Sequence, residues 1–263
     1  ATSGQELHLP KTHLHGIRVD RQWFVTQQEA QRFIAHRSEP RVVLGYDLTF
    51  SVPKSVSVAW AASDHHGRTL IENALHQAVD RSLAYIEDNG IKVRVGRAQA
   101  KGNGMVAAAF LHDTSRELEP QLHVHVVVAN MGTTAGGQIQ ALDGRGLFAE
   151  GTTAGHLAEA EIQSILNKQG YRFTPTEKGI AHLEQIPTEA VDAFSTRRAQ
   201  ILEEVGALGI DSPAARQNAA YATRAAKVDG VDRDQLETTW QLTLAANGMT
   251  PEQLQIATSH PAP

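Results

Sequence analysis

The chain has 263 residues, with 24 Lys and Arg against 29 Asp and Glu, a formal net charge of −5, and no cysteine. Disulfides and thiolate metal sites are therefore excluded, and the acidic balance argues against nucleic acid unless cations cluster locally. No apolar run approaches the ~20 residues of a membrane span and no signal-peptide pattern is visible, so a cytoplasmic protein without membrane insertion is expected. The composition, 41% hydrophobic and 20% charged, is that of an ordinary globular protein.

Residues 1–43 read as a polar leader with little periodicity before the helix-like Thr26–His36, where Thr26 and Glu29 form a capping-box pattern. His13 and His15 lie in this leader and read as incidental. The next segment, RVVLGYDLTFSVPKSVSVAWA, reads as two strand-like runs broken at Pro53. Arg68–Asn89 carries apolar residues at helical spacing and stops at Gly90. Ile91–Gly104 follows as a basic strand with Lys92, Arg94, Arg97 and Lys101 and no acid, a pattern suited either to phosphates or to a protected strand edge.

The most informative stretch is MVAAAFLHDTSRELEPQLHVHVVVAN. Met105–Leu111 reads as a strand ending at His112, and Leu122–Asn130 as a Val-rich alternating strand. Strand side chains repeat every two residues, so His123 and His125 share a face. If Asp113–Gln121 folds the chain back, one antiparallel pair brings three imidazoles together. Three neutral nitrogens with an open position suit one borderline divalent metal, with Mg, Mn or Zn as the candidates. Asp47, inside the apolar run GYDLTFS, is either satisfied by backbone amides or faces this site as an acid.

Beyond the histidines, Thr133–Gly137 reads as a turn and Gln138–Leu142 as a short strand. Helices are expected at His156–Lys168, Thr188–Leu208, Pro213–Lys227 and Asp232–Ala246, with a strand at Tyr171–Thr174 and a loose tail after Pro251. The interspersed elements predict an α+β fold, an α/β sandwich whose central antiparallel sheet carries the histidines between flanking helices. The expected organisation is a leader (1–43), a core (44–209) and a helical lid (210–263).

Two long runs in order, Gly45–Ser57 (GYDLTFSVPKSVS) and His112–Asn130 (HDTSRELEPQLHVHVVVAN), closely resemble conjugative relaxases of the TrwC/TraI (MobF) type, within the HUH endonucleases. The resemblance continues weakly through Tyr171, Phe194–Arg198 and Tyr221–Lys227. It implies metal-binding roles for His112, His123 and His125 and places Asp47 as the acid beside a metal-bound histidine and the catalytic tyrosine. It further implies metal-assisted nicking and rejoining of single-stranded or hairpin DNA at a transfer origin through a 5′-phosphotyrosine, with relaxosome proteins and a coupling protein as partners. Lys54, Lys92, Arg94, Arg97, Lys101, Arg116 and Arg224 are the expected DNA contacts.

Such relaxases carry a tyrosine pair upstream of the GYDLTFS motif, and no tyrosine precedes Tyr46 here. Tyr46 should point away from Asp47, Tyr85 reads as surface and Tyr171 as packing, which leaves Tyr221 as a weak candidate nucleophile. A segment preceding Ala1 is the first expectation, since the chain opens without Met; an unusual nucleophile, or a domain that binds single-stranded DNA without cutting it, are the alternatives. A histidine-triad hydrolase would need a third alternating histidine where Val127 stands, and a non-haem iron oxygenase would want a carboxylate in place of one histidine.

Overall fold

The protein is described by a computed structural model. It describes residues 43–175, 181–208 and 230–258, with 17–19, 22–24, 26–28, 31 and scattered positions within 212–223. The chain forms two compact units, Ala1–Leu44 and Gly45–Pro263. In the first, β1 (Ile17–Val19) and β2 (Gln22–Phe24) pair antiparallel, where the sequence had suggested no strands. The helix expected at Thr26–His36, and His13 and His15, lie mostly or wholly outside the described residues.

The second unit is built on a three-stranded antiparallel sheet in the order β3 (Gly45–Ser51), β7 (Pro120–Ala129), β6 (Ala107–Thr114). Alternation along β7 sorts its two faces. Leu122, Val124, Val126 and Val128 are buried, while His123, His125 and Val127 point the other way. Burying each of those four aliphatic side chains favours this register by roughly 1.5–3 kcal/mol.

The buried face is covered by α1 (Lys54–Ala62), and the run SVSVAWA is thus helix and not the second strand its alternation suggested. Pro53 caps α1, its carbonyl accepting from the amides of Val56 and Ser57. Ser55 through Ala62 are all buried, so the helix has no polar face to advertise its period. Its two inner serines accept backbone amides from neighbouring strands: Ser57 Oγ from Leu122 (3.0 Å) and Ser55 Oγ from Leu183 (2.9 Å).

Next comes α2 (His65–Asn89), N-capped by Asp64, which accepts from the Gly67 amide. It packs along α3 (Gly144–Asn167). That helix begins well before the expected His156, because its early glycines are packing residues. A Cβ on Gly146 would lie 2.2 Å from the Gly90 carbonyl oxygen, so the two helices touch through bare backbone. Between them run the hairpins β4 (Lys92–Val95)–β5 (Ala98–Lys101) and β8 (Gly132–Thr133)–β9 (Ile139–Gln140).

After α3, β10 (Phe173–Pro175) pairs with β11 (Ala181–Leu183). The single helix expected over 188–208 is two, α4 (Thr188–Ala193) and α5 (Thr196–Leu208), with the α4 C-cap Phe194 buried between them. The expected 213–227 helix falls largely outside the described residues. Near the C-terminus, α6 (Arg233–Ala246) is N-capped by Asp232 and buries Trp240 and Leu244, so this part of the expected lid is built into the core. The supposedly loose tail forms α7 (Pro251–Thr258). Among the described residues no helix is long and apolar enough to cross a membrane.

Lys54, one of the cations expected at DNA, is tied into the fold. Lys54 Nζ donates to the Pro120 carbonyl (2.8 Å) and lies 3.5 Å from Glu119 Oε2, with the two side chains only 20% and 9% exposed. Burial pushes the Lys54 ammonium pKa below its ordinary value, and Glu119 opposes that shift. The other Glu119 oxygen accepts from the Thr196 amide at the start of α5. Lys54→Ala leaves Glu119 buried without its cation and should cost on the order of 1–3 kcal/mol in urea unfolding. Affinity for single-stranded DNA, measured on the folded variant, should not change.

Candidate metal centre

The exposed face of the sheet is a grid fixed by register. His123 stands opposite Ser51 on one side and His112 on the other. His125 stands between Thr49 and Phe110, and Val127 between Asp47 and Ala108. The three imidazoles have ring centroids 5.1–5.3 Å apart in pairs. One ligand nitrogen from each lies within 4.8 Å of the others, the only such group of three among the described residues. The expected strand end at His112 is slightly off: β6 continues to Thr114, with a register irregularity between His112 and Thr114.

Hydrogen bonds at the rings decide which nitrogens are available. His123 Nδ1 lies 2.7 Å from the Gln121 carbonyl oxygen. A carbonyl only accepts, so Nδ1 carries the proton and Nε2 keeps its lone pair. His125 Nδ1 lies 2.9 Å from both oxygens of Asp47 and 3.2 Å from Thr49 Oγ1. A carboxylate also only accepts, so His125 takes the same tautomer. Asp47 is therefore joined to the site as an orienting acid, the second of the two sequence readings. Burial, with the charges of the neighbouring imidazoles, holds the His123 pKa below the ordinary histidine value, which favours the neutral ring.

These residues fit a divalent ion. Three convergent imidazoles, two of them with Nδ1 engaged by an acceptor and Nε2 left free, form the usual arrangement of histidine ligands and their orienting partners. The open solvent face leaves room for a further oxygen ligand.

Other expected residues are more dispersed. Lys92, Arg94, Arg97 and Lys101 are all exposed on the β4–β5 hairpin, where Lys92 stands directly opposite Lys101 and Arg94 opposite Gln99. Arg116 is half-buried in the turn between β6 and β7. Arg224 and Tyr221 lie outside the described residues.

The described tyrosines are engaged away from the histidines. Tyr46 packs edge-on to Phe148, Tyr85 donates from its hydroxyl to Glu150 (2.6 Å), and Tyr171 is buried. Tyr85 is thus a partner of α3 and not the plain surface residue expected. Two neighbours of the site went unnoticed in the sequence: Thr49, and Phe110, an aromatic 51% exposed beside His125. The pairing of GYDLTFS with HVHVV would have revealed Thr49, and that of AAAFLHDT with HVHVV would have revealed Phe110.

Two substitutions separate ligand from orienting partner. His123→Ala should abolish stoichiometric Mn²⁺ or Zn²⁺ binding in calorimetric titration. Asp47→Ala should keep the stoichiometry but weaken affinity about 10- to 100-fold.

Residues 8–247 match the TrwC relaxase family. The multifunctional conjugation protein TraI of Escherichia coli is 36% identical over 219 residues, 78% of this chain, and TraI of strain K12 is 37% identical over the same length. The chain spans only 12% of the length of these relatives. Among solved structures, a copper-bound conjugative relaxase TrwC in complex with oriT DNA superposes with a TM-score of 0.73 at 33% identity, covering 82% of this chain and 74% of the other. TrwC complexed with a 27-mer DNA comprising the recognition hairpin and the cleavage site gives 0.70 at 30% identity, covering 87% and 88%. The likeness spans both the metal face and the helices packed behind it, and the chain belongs to the TrwC relaxase family.

Proposed function

We propose that this chain is the relaxase domain of a bacterial conjugation system, nicking and rejoining single-stranded DNA at a transfer origin. The observation that carries this reading is the histidine face: three convergent imidazoles, an acid holding one ring, and open solvent above. A divalent ion held there by His112, His123 and His125 would supply Lewis-acid charge for transesterification.

The chain's own residues do the rest. His123 and His125 are held by Gln121 and Asp47 so that no ring reorients during the reaction. The scissile phosphate lies over the grid, and Phe110 offers a flat apolar surface for a neighbouring base. The nucleophile is a tyrosine whose hydroxyl oxygen attacks phosphorus. It forms the 5′-phosphotyrosine ester, expels the 3′-hydroxyl, and conserves the ester for rejoining. Among the described residues, none of Tyr46, Tyr85 and Tyr171 stands on this face.

The β4–β5 hairpin is the proposed phosphate-binding element. Like charges placed opposite each other on a strand pair are destabilising, so Lys92 facing Lys101 has a cost that a polyanion would remove. Arg94 and Arg97 extend the same cluster, with Arg116 and Arg224 as further candidates. We read residues 44–209 as the core and 210–263 as a helical region of which α6 is packed into that core, in a protein working with relaxosome components and a coupling protein in the cytoplasm.

The test is incubation of the protein with a single-stranded oligonucleotide spanning the transfer origin of its own element, in Mg²⁺ or Mn²⁺. The expected products are a free 3′-hydroxyl fragment and a protein-linked 5′ fragment, both lost with EDTA and with His123→Ala. Tight binding without any cut strand would contradict the reading and leave a binding domain. Substituting Lys92 and Arg94 together should lower the salt dependence of binding, as log K against log salt, by about two. An unchanged slope removes the hairpin from the interface.

A further inference from the structure

His112 and His123 sit at the turn end of the β6–β7 hairpin. The turn is irregular: register shifts between His112 and Thr114, and Leu118 has φ +58°, in the left-handed region that favours glycine. Loops, and the residues beside them, are among the parts of a fold that open most readily. Ligand nitrogens must nevertheless hold their positions to within about 0.5 Å for tight binding. Something outside the hairpin has to hold it.

Helix α6 reaches both arms of this turn. Arg233 Nη1 bonds Asp113 Oδ2 at 2.7 Å, one residue beyond His112. Two helical turns further along α6, Trp240 Nε1 donates to the Leu118 carbonyl at 2.8 Å. Neither group is loose. The Arg233 guanidinium lies 5.2 Å from the Trp240 ring centroid and 5.8 Å from that of Trp60, and its Nε bonds Glu237 at 2.8 Å. Glu237 in turn receives Arg68 at 3.0 Å. Trp240 itself is buried against Trp60 of α1.

We propose that Arg233 and Trp240 are positioning residues for the metal centre: α6 pins the turn at Asp113 and Leu118 and thereby keeps His112 within ligand distance of His123 and His125. The inference rests on the reading of the three histidines as a metal site. Asp113–Arg233 is a partly exposed ion pair, so its contribution to folding is small.

Sign distinguishes positioning from simple electrostatics. Arg233 is a cation near a cation site, so by Coulomb's law alone its removal should tighten metal binding. Positioning requires the opposite. Calorimetric titration of Mn²⁺ into the full chain should show Arg233→Gln binding about tenfold more weakly than wild type, with unchanged affinity for a single-stranded oligonucleotide in EDTA. Trp240→Phe keeps the ring but loses the bond to Leu118, and should also weaken Mn²⁺ binding; it decides the matter if Arg233→Gln does not fold.

Equal or tighter binding by a folded Arg233→Gln overturns the inference and leaves the metal site standing. So does weakening that only tracks loss of the thermal transition. A wild-type chain that binds no Mn²⁺ overturns both.

Discussion

Everything at the metal centre depends on the register of one sheet. Side chains alternate along β3, β6 and β7, so one pairing decides which residues meet water. The apolar set Leu122, Val124, Val126 and Val128 goes inward, and the same alternation sends His123 and His125 outward, between Thr49 and Phe110 and beside His112. A slip of one residue would bury the histidines and expose the valines. Aliphatic burial thus specifies the position of the polar site without touching it.

Around that grid the polar groups act as orienters. Gln121 contributes only its carbonyl and Asp47 only its carboxylate, yet each assigns a tautomer. Cations divide by environment in the same way. Lys54 is half-sequestered with Glu119 and ties α1 to the start of α5, whereas Lys92, Arg94, Arg97 and Lys101 stay in water on a hairpin. The contrast between a structural lysine and a solvated cluster follows from burial and could not be read from charge.

How much of this was legible in the sequence follows the range of the interactions. HVHVV displays its period locally, so the histidine strand and its neighbour were readable, and so was Asp47 once it was placed beside them. The segment SVSVAWA was misread because α1 is buried all round and its Ser/Val alternation mimics a strand. The serines instead serve the backbone of β7 and β11, contacts 65 and 128 residues away. Helix α3 starts earlier than the expected His156, and its first glycines are required by the surfaces they touch, the Tyr46 ring and the Gly90 carbonyl. The role of Arg233 depends on a partner on the histidine hairpin, far away in sequence, and no local pattern announces it.

The claim beneath all of this is that the sheet register presents three Nε2 atoms to one ion while hydrogen bonds hold Nδ1 protonated on His123 and His125. Nitrogen-15 NMR of the histidine rings during Zn²⁺ titration tests it directly. The account predicts that the Nε2 resonances of His112, His123 and His125 move together at one equivalent, while the Nδ1 atoms of His123 and His125 keep their protons. Coordination through Nδ1 of either ring, or shifts confined to one or two of the three, would contradict it.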